Sequence, residues 1–355
     1  MSPMFVPGPV DVNPKILAAQ AQPMMPHRSK DFELLFAGAA DKAKKVFYTE
    51  TRVFIFTASG SGSQEAAIRN LVKERVLCCV NGSFSQRWQD VAASCGKIAD
   101  KVEAGWGQAV LPEMVAEMIK KEKYDAITIV HNETSTGVQN PVKEIAAVVH
   151  DLSPETMVCV DAVSSLGGTK IEMDAWGIDL LLTSSQKCLA LPPGLSLCAV
   201  NDRDMDRAKL VPYRGWYFDL VRMETHRLKD STPATPAMSL IYALDKQLDH
   251  ILDVEGLENR FARHNAMAKR SQEWAVKKGW RLFAAEGYRS HTMTVIENPP
   301  TFDCAALNKF MAPRSIRLAN GYGQLKGKTF RIAHMGEIQM KDLEDLLACI
   351  DEFTA

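Results

Sequence analysis

Four short apolar runs, at 76–80 (VLCCV), 124–130 (YDAITIV), 157–161 (MVCVD) and 178–182 (IDLLL), constrain this chain most. Helical patterns at 111–121 and 141–151 fall between them. Strands that read as near-continuous apolar runs are buried on both faces, and their alternation with helices indicates a parallel sheet in an α/β architecture. Further strands are expected at 53–56 and 98–102, with helices at 31–50, 239–251 and 257–278. Shorter strands and helices (292–296, 304–311, 330–333, 341–353) follow as a smaller domain; Leu343, Leu346, Leu347 and Ile350 share one face of the last helix.

In an open α/β sheet the carboxyl ends of the strands face the ligand crevice. Asp161 closes one such run. The 178–182 run leads through Thr183-Ser184-Ser185 to Gln186 and Lys187, then Pro192-Pro193-Gly194 and a second apolar run, which reads as a hairpin holding a lysine near its turn. Desolvation lowers an amine's pKa, and a neutral amine can form a Schiff base with a carbonyl. A surface lysine and an Asp acting as a helix N-cap are the bland alternatives. Together, Lys187 and Asp161 suit pyridoxal 5'-phosphate, which needs a lysine for its aldehyde and an acid for its pyridine nitrogen.

At 57–63 (TASGSGS) a glycine-bearing loop joins a strand to a helix, an arrangement that aims backbone N–H groups at a phosphate. Glu65 occupies the third glycine position of a dinucleotide fingerprint, so that motif is excluded. Gly327-Lys328-Thr329 is no P-loop, because Tyr322 stands where a glycine is required and a strand follows.

The chain resembles the class V aminotransferases, fold type I pyridoxal-phosphate enzymes, and most closely the alanine–glyoxylate and serine–pyruvate group. The resemblance rests on PGP at 7–9, HRS at 27–29, SGS at 59–61, EAA at 65–67, HNETSTG at 131–137, VDAVSSLGG at 160–168, SSQKCLALPPGLS at 184–196, TP at 235–236 and RIAHMG at 331–336. It implies a large domain with a mostly parallel, seven-stranded sheet over 1–255, including an extended N-terminal arm near the site entrance, and a smaller α+β domain over 256–355. It also implies Lys187 and Asp161 as catalytic residues. Ser59, Gly60 and Ser61 would cradle the phosphate, and Thr134 would reach the phenolic oxygen. Phe84 would stack on the pyridine face, with Trp88 about one helical turn away as the alternative, and Val163 would lie on the opposite face. Gln186 would orient the lysine turn and Arg331 would clamp the substrate carboxylate. Thr235 would reach the phosphate of a neighbouring subunit, implying a homodimer; relatives carry a tyrosine where Thr232 stands, which puts that contact in doubt. His131 and Glu133 are expected to be structural.

The expected reaction is ping-pong transfer of an amino group from alanine or serine to glyoxylate or pyruvate. Phosphoserine, aspartate and 2-aminoethylphosphonate aminotransferases are the alternatives. Cysteine desulfurase is less favoured, because 318–329 contains no cysteine. An interaction protein that has lost its chemistry would not need Lys187, Asp161 and Arg331. A net charge of −1 gives no electrostatic case for nucleic acid or an anionic membrane. No metal site is expected. The eight cysteines form no CxxC pair and read as reduced core residues of a cytoplasmic protein. No apolar run reaches membrane-spanning length, and the first residues lack a signal-peptide pattern.

Overall fold

The computed structural model describes residues 3–300 and 302–355. Its thirteen strands are β1 (Met4–Phe5), β2 (Arg52–Phe56), β3 (Arg75–Val80), β4 (Ile98–Glu103), β5 (Ala126–Val130), β6 (Asn132–Glu133), β7 (Val138–Gln139), β8 (Met157–Asp161), β9 (Leu180–Ser184), β10 (Ser196–Val200), β11 (Met293–Glu297), β12 (Arg317–Asn320) and β13 (Thr329–Ala333). Seven build the central sheet in the order β2-β10-β9-β8-β5-β3-β4. All neighbours are parallel except β10, which runs antiparallel to both β2 and β9.

Residue alternation along each strand feeds two apolar layers. Val53 and Ile55 enter one and Phe54 and Phe56 the other; Leu77 and Cys79 enter the first, Val76, Cys78 and Val80 the second. Burial on both faces is why these segments read as unbroken apolar runs. Seven of the eight cysteines are buried, Cys95 is half-buried, and all are free.

Residues 201–230 contain an irregular aromatic segment at 213–219 (YRGWYFD). Helices Asp202–Leu210 and Leu220–Arg227 flank it, the first capped by Asn201 accepting from the Asp204 amide at 2.9 Å, the second by Asp219 accepting from the Val221 amide at 2.9 Å. Side-chain caps of this kind start helices that hydropathy alone does not announce.

The second sheet has the order β1-β12-β13-β11. Its β12 was not expected, being four residues with only Leu318 buried. More consequential is β1. The arm leaves the surface and pairs parallel with β12, Met4 opposite Arg317. The helix Leu257–Lys277 starts after Gly256, which has a positive φ of 79°, and packs against β11 and the final helix Met340–Phe353. Among the described residues no helix is long and apolar enough to cross a membrane, and no cluster of His, Cys, Asp and Glu has metal-ligand geometry.

Candidate active site

Strands β2, β3, β5, β8 and β9 all end at the same edge of the central sheet, where a cavity of about 330 Å³ opens. Ser59, Gly60 and Ser61 follow β2, Phe84 follows β3, Thr134 follows β5, Asp161 ends β8 with Val163 just beyond it, and Gln186 and Lys187 follow β9; each lines this cavity. Residues scattered over nearly 130 positions therefore share one wall, because parallel strands deliver their carboxyl ends together.

Asp161 is 5% exposed. Gln64 Nε2 donates to its Oδ2 at 2.7 Å and the Val163 amide donates to its Oδ1 at 2.8 Å. Burial raises its pKa to about 6, against the lowering effect of those two donors. Lys187 is shifted the other way, to about 8, chiefly by burial and then by the charge of Arg331. Its Nζ donates to the Pro7 carbonyl. Gly8, with a positive φ of 110°, abuts the lysine stem so closely that an added Cβ would lie 2.7 Å from Lys187 Cδ. The Val10 amide donates to the Gln186 carbonyl at 3.2 Å, so the arm fixes the lysine turn from above.

His131 and Glu133 are structural, as expected. Burial lowers the His131 pKa to about 3, leaving it neutral, and its Nδ1 lies 2.9 Å from Ser165 Oγ. Glu133 accepts from the amides of Phe84 (3.0 Å), Ser85 (2.9 Å) and Ser135 (3.1 Å), and from the hydroxyls of Ser85 (2.9 Å) and Ser135 (2.7 Å). It thereby ties the loop after β3 to the β6–β7 turn and aims Phe84 at the cavity. Trp88 is fully buried, its indole N–H donating to the Gln64 carbonyl at 3.2 Å, and it does not reach the cavity.

Two expected residues lie outside the cavity lining. Arg331 is 7% exposed in the middle of β13, donating from Nε to the Asn320 carbonyl at 2.8 Å and from Nη1 to the Thr134 carbonyl at 3.4 Å. Burial lowers its pKa to about 10. Thr235 lines a separate small pocket beside Thr57 and Tyr217. That segment is held by Arg28 of the HRS motif, which donates to Ser231 Oγ at 2.6 Å and to the Thr232 carbonyl at 2.5 Å.

Whether these residues suit pyridoxal 5'-phosphate is tested by what the cavity leaves unbonded. Gln64 Oε1, Asn132 Oδ1, Ser184 Oγ and Gln186 Oε1 are buried without a hydrogen-bond partner among the described residues, and all four side chains line this cavity. Buried polar atoms rarely stay unpaired, so their concentration here marks a place for a polar ligand. The helix Gly60–Leu71 starts at the same place without a side-chain bond from Ser59; its Gly62 amide donates to the Ser59 carbonyl at 2.9 Å, and the amides before it belong to the turn that lacks intrahelical partners. A Cβ on Gly60 would stand 2.6 Å from Val163 Cγ2, so any larger residue there would have to displace Val163. The residues fit the cofactor. Gln64, Asn132, Ser184, Arg87 and Tyr322 were missed from the sequence. Arg87 follows Phe84 by one helical turn, a legible signal, whereas nothing local marks Tyr322.

Comparison with known proteins agrees. The family described as aminotransferase class-V matches residues 15–323. An uncharacterised aminotransferase of Methanocaldococcus jannaschii is 39% identical over 356 residues, 98% of this chain and 91% of that protein. An L-aspartate–glyoxylate aminotransferase of Paracoccus denitrificans is 33% identical, covering 95% and 87%. The solved structure of an alanine–glyoxylate aminotransferase from Nostoc superposes with a TM-score of 0.94 at 27% identity, covering 100% and 96%. The strand order, the cavity at the strand ends and these likenesses lead to one conclusion: the chain belongs to the class V aminotransferases and is a pyridoxal-phosphate-dependent transaminase of the fold type I class.

Proposed function

We propose that this transaminase moves the amino group of a small amino acid, alanine or serine, to glyoxylate or pyruvate, with Lys187 as its catalytic base. The observation that carries the reading is one cavity at the strand ends that brings the half-buried Lys187 amine and the buried Asp161 carboxyl together with four unbonded polar atoms, burial shifting the amine down to about 8 and the carboxyl up to about 6. When bound, pyridoxal 5'-phosphate supplies an aldehyde that captures the amino group and a ring that takes up the electron pair of the Cα–H bond. Lys187 Nζ takes the proton from the substrate α-carbon and returns it in the reverse half-reaction. An amine titrating near neutrality suits both directions. Asp161, aimed by Gln64 and the Val163 amide, holds a proton at the ring nitrogen. Ser59, Gly60 and Ser61 would bind the phosphate, and Ser184 Oγ and Gln186 Oε1 would bond the cofactor at their unpartnered atoms. Phe84 and Val163 would hold the ring from either side, Thr134 would meet its phenolic oxygen, and Arg331 would bind the substrate carboxylate as a two-pronged donor.

Thr235, and the exposed Tyr213 (95%) and Trp216 (53%), would meet a second copy in a homodimer whose partner shares the phosphate site. A cytoplasmic location and the division into 1–255 and 256–355 belong to the same reading. Borohydride reduction of the cofactor-loaded enzyme, followed by peptide mapping, tests it. Label on Lys187 is expected, together with transamination of alanine or serine with glyoxylate; label elsewhere, or none, overturns it.

A further inference from the structure

Two guanidinium groups approach the cavity around one aromatic pair. Phe84 and Tyr322 stack with centroids 5.3 Å apart and planes 14° from parallel. The guanidinium carbon of Arg87 lies 4.9 Å from the Phe84 centroid, and that of Arg331 lies 5.6 Å from the Tyr322 centroid. Arg87 Nη2 also donates to the Tyr322 hydroxyl at 3.1 Å.

Both arginines differ from most others in the chain. Arg207, Arg214 and Arg270 meet carboxylates at 3.1, 3.0 and 2.6 Å. Arg87 and Arg331 have only neutral oxygens as partners among the described residues: a phenol for the first, two carbonyls for the second. Nearby acids do not neutralise them. Glu133 is saturated by five donors, and Asp161 is engaged by Gln64 and Val163. Lys187 adds a third cation, and the charges of both arginines contribute to its lowered pKa. Half-buried and buried cations with no anion are costly unless a ligand brings one. A donor with a single carboxylate would answer Arg331 and leave Arg87 unanswered.

We propose that Arg87, held in place by Tyr322, is a second carboxylate-binding residue, so that the donor site takes an amino acid with an acidic side chain. The α-carboxylate would go to Arg331 and the side-chain carboxylate to Arg87. Phe84 and Arg87 lie one helical turn apart on the helix Ser83–Ser94, so a single helix face supplies both the ring and the charge. Tyr322 comes from the loop after β12 and fixes the rotamer of an otherwise flexible side chain. The inference rests on the transaminase reading, with its cofactor and its Lys187 base, and departs from it at the donor: an acidic amino acid is preferred to alanine or serine.

The test uses the cofactor-loaded enzyme with aspartate, glutamate, alanine and serine as donors and glyoxylate as acceptor. Variants are Arg87→Gln, Arg87→Lys and Tyr322→Phe. Wild type is expected to prefer an acidic donor. The acidic-to-alanine ratio of kcat/KM should fall about 100-fold in Arg87→Gln, because a site built to pair a polar group discriminates by that much or more. Arg87→Lys should restore part of it. Succinate, which needs no turnover, should bind more tightly than butyrate by calorimetry in wild type and lose that advantage in Arg87→Gln. An unchanged donor ratio in Arg87→Gln, or succinate binding no better than butyrate, overturns the proposal. Turnover of alanine with no use of acidic donors also overturns it and leaves the transaminase reading intact. If no donor reacts, that reading fails, and succinate binding decides the carboxylate site alone.

Discussion

Gln64 donates its amide N–H to one oxygen of Asp161 at 2.7 Å while its own Oε1, buried, has no partner among the described residues. The glutamine thus holds the acid in one orientation and keeps an acceptor free on the cavity side. Asp161 titrates near 6 because burial outweighs this donor and the Val163 amide. Removing the donor pushes it higher still, since a hydrogen bond to the charged form favours that form.

Gln64→Leu is therefore expected to lower kcat about 10-fold and Asp161→Asn by about 100-fold or more, the usual range for a positioned proton donor or acceptor. Steady-state kinetics with saturating cofactor measures both. Equal losses in the two variants would contradict the positioning role assigned to Gln64.

Lys187 should react with an amine-directed reagent such as trinitrobenzenesulfonate at a rate that rises with pH and is half-maximal at about pH 8 in the cofactor-free protein. The neutral amine is the nucleophile, and a lowered pKa brings its titration down from the ordinary lysine value near 10.4. Peptide-resolved labelling across pH 6–11 reads the midpoint. A midpoint above 10 would show an exposed, ordinary amine and remove the argument for a lysine base.

Arg331→Gln should raise KM for every amino donor about 10- to 100-fold with a smaller effect on kcat, because it removes a charge-assisted contact made equally in ground and transition states. Arg331→Lys should recover little, since an ammonium cannot reproduce the two-pronged geometry. A drop in kcat with unchanged KM would instead place Arg331 at the reacting atoms.

Asp204 presents a stability test away from the site. It is fully buried, both carboxylate oxygens lack partners among the described residues, and it sits against Cys159 and Cys198. Burial raises its pKa well above the usual range, with the charge of Asp179 adding to the rise and Arg203, Arg207 and Arg52 opposing it. The folded state then holds a proton that the unfolded state releases above about pH 4, so this group's contribution is complete below pH 4 and declines as pH rises toward the folded value. Asp204→Asn should be more stable than wild type by about 1–3 kcal/mol at pH 8, and the advantage should shrink toward pH 4. Urea unfolding at the two pH values checks the sign. An advantage that grows on acidification would mean the carboxyl is ionised in the fold.

The sheet was legible because burial on both faces writes itself into residues 76–80, 157–161 and 178–182 as uniform apolar runs. Lys187, Asp161 and the 59–61 loop were legible because each sits at a strand end, where a polar residue interrupts such a run. The helices at 202–210 and 220–227 were not, since short caps by Asn201 and Asp219 start them and most of their residues are polar. Nor was β1, whose two residues gain their structure only by pairing with β12.

The sequence alone determined which residue types stand at the strand ends and the order in which strands and helices follow. Only the tertiary structure decided that Phe84 and not Trp88 lines the cavity, that Tyr322 meets Arg87 across 235 positions, and that Gly8 presses on Lys187. The physical reason is the range of the forces involved. Periodicity and capping act within a few residues, whereas side-chain hydrogen bonds and desolvation depend on which surfaces the folded chain brings together, and chain spacing carries no trace of that.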